Sequence, residues 1–111
     1  MTISCNDFEK IDIRLGTITE VSEFPKARKP AYKLLVDFGS EIGVKRSSAQ
    51  VTAHYSREDL LNRQVIAVVN FPPKQIADFI SECLVLGVYD ANNDVILLQP
   101  EKTGQNGQKI G

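Results

Sequence analysis

The sequence predicts a small all-β domain, a barrel or a sandwich, with little helix. Three observations carry that expectation. Short apolar runs rich in β-branched residues recur at Val65–Val69 and Cys83–Tyr89, each bounded by turn-forming residues. A long segment, Ile11 to Phe24, alternates between apolar and polar residues and carries Gly16 where the alternation shifts. Helix signals are confined to two short stretches, Asp7–Lys10 and Ser56–Leu61.

Taken in order, Asp7 to Lys10 fits one helical turn capped by Asn6 or Asp7. Ile11 to Phe24 is the first strand, and Gly16 is expected to bend it so that one strand serves both halves of a closed sheet. Pro25 to Pro30 is a loop enclosing Lys26, Arg28 and Lys29. Tyr32 to Phe38 is a second strand, with Leu34, Val36 and Phe38 on one face and Lys33, Leu35 and Asp37 on the other. Gly39-Ser40 turns the chain into a weaker third strand, Ile42 to Val51, whose polar Lys45, Arg46, Ser47 and Ser48 suggest an exposed face.

Ser56 is a helix N-cap with Asp59 at the capping-box position, and the helix ends near Asn62. The fourth strand covers Val65–Val69. Asn70-Phe71-Pro72-Pro73 stops it, because neither proline can donate to a sheet ladder. A polar crossing, Lys74 to Ser81, leads to the fifth strand at Cys83–Tyr89. Asp90–Asp94 is the tip of a hairpin returning through Val95–Leu98. After Pro100 the chain is polar and glycine-rich, and Lys109-Ile110 either docks again or frays.

The 111 residues make a single domain, 1–111, large enough for a modest core. An apolar fraction of 42% and a charged fraction of 24% are ordinary for a globular chain. The apolar runs are too short to cross a bilayer, and Met1–Asp7 lacks the pattern of a signal peptide. Cys5 and Cys83 have neither Cys-x-x-Cys spacing nor a secretory context, which fits reduced thiols in a cytoplasmic protein. The net charge of −1 gives no global footprint for nucleic acid. Its distribution is uneven. Residues 1–25 carry five acids against two bases, and residues 26–50 six bases against two acids. The basic stretch fits either a local anion-binding face or a solvated loop, and charge alone favours the loop.

Catalytic signatures are missing. His54 has no partners at ligand spacing, so no metal site is expected and it is taken as a surface residue. The sequence contains no Gly-x-Ser-x-Gly, no Walker loop and no dinucleotide fingerprint. No acid pair sits isolated in an apolar setting. The expectation is a binding protein that is not an enzyme and uses no cofactor.

Asn70-Phe71, Lys74, Ile76 and Ser81-Glu82-Cys83-Leu84 resemble the signature of the tRNA-binding domain family. The likeness extends from Phe8 to Ile110 and implies a five-stranded OB-fold barrel, with one short helix between strands 3 and 4 and terminal extensions. Ala27–Leu34, Asp37-Phe38-Gly39, Lys45–Gln50 and Asn70–Pro73 together resemble the CsaA group of bacterial secretion chaperones within that family. That resemblance implies a homodimer that binds unfolded or pre-secretory polypeptides without ATP, in contact with export machinery. The wider family implies tRNA binding as the alternative, and the two activities are compatible on one face.

OB-fold domains hold extended polymers on one sheet face and its flanking loops. The candidate face here holds Lys45, Arg46, Ser47, Ser48 and Gln50. The flanking loops supply Lys26, Arg28, Lys29 and Tyr32 on one side, and Asn70, Phe71 and Lys74 on the other. Tyr32 and Phe71 suit either stacking on a ligand or packing within the fold. Compared with typical family members, Gln75 and Ala77 are neutral and Asp78 stands where glycine is usual. Asp tolerates a left-handed backbone, so the turn is expected to survive, but its charge opposes phosphate. The polypeptide reading is favoured on that account.

Overall fold

A computed structural model describes residues 1–111. Its sheet is five-stranded and antiparallel. It comprises β1 (Ile13–Glu23), β2 (Tyr32–Asp37), β3 (Val44–Ala49), β4 (Gln64–Val68) and, as the fifth member, β7 (Leu84–Val85). The order across the sheet is β3-β2-β1-β4-β7. The remaining elements are α1 (Cys5–Glu9), α2 (Arg57–Leu60) and two hairpins. These are β5 (Lys74–Ile76) with β6 (Phe79–Ser81), and β8 (Gly87–Tyr89) with β9 (Val95–Leu97).

β1 does serve both halves of the sheet. Residues 13–17 pair with β4, and residues 17–23 pair with β2. The register slips between Ile18 and Glu20, so the irregularity lies past Gly16. Gly16 has another role, because a Cβ there would stand 2.7 Å from the Phe38 ring and from a Val36 methyl. The strand is smooth at Gly16 and needs glycine there for close packing.

The barrel is nearly closed between β3 and the segment before β7. The Glu82 N–H donates to the Arg46 carbonyl at 2.7 Å. The Arg46 N–H donates to a Glu82 carboxylate oxygen at 2.9 Å, and the Ser47 hydroxyl donates to the Cys83 carbonyl at 3.1 Å. Part of the seam is therefore made by side chains instead of a strand ladder. Ile18, Leu34, Val36, Phe38, Val65 and Ala67 fill the interior, and Leu60 on α2 joins them. On β2 the inward and outward sets are those that the alternation predicts.

Both helices begin with capping boxes. Ser56 accepts from the Asp59 N–H while the Asp59 carboxylate accepts from the Ser56 N–H, as expected. At the first helix the cap is Ser4, paired in the same way with Asp7, and not Asn6 or Asp7. The Ser-x-x-Asp spacing places Asp7 at the third helical position, where its carboxylate reaches back to the cap.

Two other expectations are corrected. Lys74–Ser81 is a paired hairpin joined by Ala77-Asp78, and not an open crossing. The run Cys83–Tyr89 is not one strand. Leu86 donates to Ile66, and the chain then leaves the sheet to form β8 against β9. Gly87 permits the departure, because a Cβ there would meet a Val95 methyl at 2.5 Å. The C-terminal segment docks: Leu15 donates to Gln108 at 2.9 Å and Ile110 to Ile13 at 2.9 Å.

Candidate binding groove

A groove of about 350 Å3 opens beside the barrel seam, between β3 and the β5–β6 hairpin. Phe71, Pro72, Ile76 and Leu84 give it an apolar side, and Ser48, Ser81 and Glu82 a polar one. Phe71 is 54% exposed. Its position follows from its neighbours. Asn70 clamps the chain before β1, accepting from the Asp12 N–H at 2.9 Å and donating to the Lys10 carbonyl at 2.8 Å. Pro72-Pro73 stiffens the chain on the other side. The ring stands exposed between these two restraints.

Glu82, Arg46 and Asp78 around the groove are in ion pairs, whereas Lys74, which lines it, is in none. The Arg46 Nε lies 3.2 Å from Glu82, and its guanidinium stacks near the Phe79 ring. Glu82 is held below the usual carboxylate range, chiefly by the Arg46 N–H it accepts and then by the Arg46 side chain. At the hairpin tip, Asp78 faces Lys26 at 3.5 Å and Lys33 at 3.9 Å. Cys83 lines the groove from below as a buried thiol, and burial pushes its pKa up to about 11. Burial thus favours the neutral thiol over the nucleophilic thiolate at pH 7.

The residues expected to bind ligand divide into groups. Ser48, Phe71 and Lys74 line the groove, and Arg46 reaches its edge through Glu82. Lys45 is on β3 beside Arg46, so alternation sends the two side chains to opposite faces, and Lys45 pairs in register with the inward Val36. Arg28 and Lys29 stand exposed in their loop, and Gln50 is exposed just past β3. Three residues are not available to a ligand. Tyr32 is 7% exposed and its hydroxyl donates to the Tyr55 carbonyl at 2.8 Å, so it is a core residue. Ser47 is fully buried in the seam. Both amide ends of Asn70 are spent on the N-terminal segment.

Pro72, Ile76, Ser81, Glu82 and Leu84 line the groove but were not among the expected binding residues, although Ile76 and Ser81-Glu82-Cys83-Leu84 carry the family resemblance; Ile76 and Ser81 were placed in a polar crossing and not in a hairpin. The usable signal was two three-residue stretches on either side of Ala77-Asp78, a hairpin spacing with unusual turn residues. The left-handed backbone belongs to Ala77, at φ 52°, and not to Asp78. His54 is also less solitary than expected. It lies 2.6 Å from Asp90, with Asp94 close by. The Asp90 carboxylate accepts from its own turn at the Asn92 and Asp94 N–H groups, and these bonds with His54 hold it below the usual range. The cluster is a stapled turn.

A five-stranded barrel with a helix between β3 and β4, and a groove on its outer face, defines an OB-fold binding module. The sequence profile described as "Putative tRNA binding domain" matches residues 13–109, and the chain belongs to the tRNA-binding domain family. Among solved structures, the CsaA chaperone protein from Picrophilus torridus is 57% identical, with a TM-score of 0.94, covering 99% of this chain and 100% of that one. Chaperone CsaA from Bacillus anthracis is 50% identical, with a TM-score of 0.94 and full coverage of both chains. Methionine–tRNA ligase from Thermococcus onnurineus is 37% identical over 108 residues, which are 97% of this chain and 14% of that protein. The chain thus spans about a seventh of the length of the curated relatives it matches.

Proposed function

We propose that the protein is a homodimeric, CsaA-like export chaperone that binds unfolded or pre-secretory polypeptides in the cytoplasm, without ATP and without catalysing a reaction. The observation that carries this reading is the outward-held Phe71 beside Ser48 and Ser81. An apolar seat next to hydroxyl groups accommodates an apolar side chain together with its backbone. Such recognition tolerates many sequences and favours unfolded chains, whose apolar side chains are accessible. The two CsaA neighbours, named as chaperones and matching end to end, support it. The dimer is drawn from the exposed apolar residues Ile3, Phe8 and Ile11 at the N-terminus and Val88, Tyr89 and Ile96 on the β8–β9 hairpin.

A second reading, tRNA binding, is favoured by the family description and by Arg28 and Lys29, which are exposed and in no ion pair. Both ligands fit one protein, since the apolar groove and the basic loop are separate features.

The test compares Phe71→Ala with the double variant Arg28→Ala and Lys29→Ala, each checked for folding, against an unfolded polypeptide and against tRNA. Loss of the aromatic should weaken polypeptide about tenfold or more, the scale for a buried aromatic anchor, and leave tRNA nearly unchanged. The double variant should do the reverse and lower the salt slope of tRNA binding by about 1.4 to 1.8. Equal responses of both ligands to both variants would replace the two features with one undivided patch.

A further inference from the structure

Three structural facts meet at the tip of the β5–β6 hairpin. Lys26, from the loop after β1, and Lys33, from β2, both face the Asp78 carboxylate, at 3.5 and 3.9 Å. Lys33 is also held from the side: its ammonium lies 5.0 Å from the Phe24 ring centre and 5.6 Å from that of Phe79. Those two rings pack edge to face at 5.5 Å, which fixes the frame around the ammonium. Two cations, one of them anchored by aromatic rings, therefore converge on a single carboxylate.

Two ammonium groups converging on one anionic oxygen pair are also what a phosphodiester requires. We propose that the hairpin tip is an anion site filled by the protein's own Asp78, and that Asp78 thereby sets ligand choice, withholding Lys26 and Lys33 from the sugar–phosphate backbone of single-stranded RNA and weakening the binding of that ligand while leaving the neighbouring groove to polypeptide. The inference rests on the reading of that groove as a polypeptide seat. The fold does not require the contact. The register of β5 against β6 is held by their own ladder, and the Phe79 ring packs independently of the carboxylate. Exposed ion pairs of this kind add little to stability. An asparagine at position 78 keeps the shape of the side chain and removes its charge.

The experiment titrates wild type and Asp78→Asn with a single-stranded oligouridylate at several salt concentrations, and separately with an unfolded polypeptide free of acidic residues. Glu58→Gln, an exposed acid on α2, controls for the change in net charge. Asp78→Asn should bind the RNA about three- to tenfold more tightly at low salt. Its log–log salt slope should steepen by roughly 0.7 to 1.4, the amount for one or two added single-strand phosphate contacts. Lys33→Gln placed on Asp78→Asn should return both quantities toward wild type, and polypeptide affinity should not move. If Asp78→Asn gains no more RNA affinity and no more slope than Glu58→Gln, Asp78 is not the occupant of an anion site. A wild-type protein that ignores polypeptide would remove the chaperone reading, while the RNA comparison would still decide the role of Asp78.

Discussion

Ala77 is the most strained residue of the candidate site. Its φ of 52° lies in a region where a Cβ crowds the backbone, at a cost of about 1–2 kcal/mol. Ala77→Gly should therefore raise unfolding stability by up to about 1 kcal/mol, after the glycine's greater unfolded-state entropy is deducted. Chemical denaturation would show it, and a loss of stability would mean that the turn is not strained. Gly16 works in the opposite sense. Gly16→Ala puts a methyl into Phe38 and Val36, and overpacking of that kind costs typically about 1–3 kcal/mol. Residue-level reading from sequence did well where a side chain acts on its own neighbours: Ser56 with Asp59, and the alternation of β2. It failed where a partner comes from far along the chain. Tyr32 is in the core because Tyr55 supplies its acceptor, and Asn70 is occupied because residues 10 and 12 lie beneath it. The alternation of β2 puts Tyr32 on the inward side with Leu34 and Val36, but no local pattern announces its Tyr55 acceptor or either partner of Asn70.

At the level of elements, the seam between β3 and the chain before β7 is the least conventional part of the barrel. Its polar bonds run through Glu82, whose carboxylate accepts from both the backbone and the side chain of Arg46. Those bonds hold the folded Glu82 pKa below its ordinary value. A depressed carboxylate stabilises the fold above its unfolded pKa, and that contribution is lost as pH falls through the folded value. Stability should thus decline on acidification below the ordinary glutamate range. Glu82→Gln should be less stable than wild type at pH 7 and should flatten that acid limb. Thermal unfolding from pH 7 to pH 3 would measure it, and parallel curves for the two proteins would rule Glu82 out as the source. The β5–β6 hairpin was invisible to sequence reasoning for a related reason. Its two strands are three residues each, too short for alternation to register, and its turn lacks the usual glycine.

For the molecule as a whole, the apolar patterns of β1, β2 and β4 made an all-β barrel or sandwich legible, the family resemblance narrowed it to a five-stranded OB-fold, and the order of strands across the sheet came only with the structure. The surface beyond the barrel was less legible. Ile3, Phe8 and Ile11 gather with Ile110 around a concavity of about 880 Å3, and the β8–β9 hairpin presents Val88, Tyr89 and Ile96 elsewhere. The proposed dimer would cover these exposed apolar side chains. Sedimentation equilibrium at micromolar concentration should return twice the chain mass, and Phe8→Asp or Tyr89→Asp should shift it toward monomer. A wild-type monomer at that concentration would refute the proposed dimer.

The central claim is that extended polypeptide binds in the groove at the barrel seam. The most direct measurement is a backbone NMR titration of the isotope-labelled protein with an unfolded polypeptide. The account predicts shift changes concentrated at Ser48, Phe71, Ile76, Ser81 and Leu84, saturating together. Changes centred instead on Lys26–Lys29, or spread evenly along the chain with no common saturation, would contradict it.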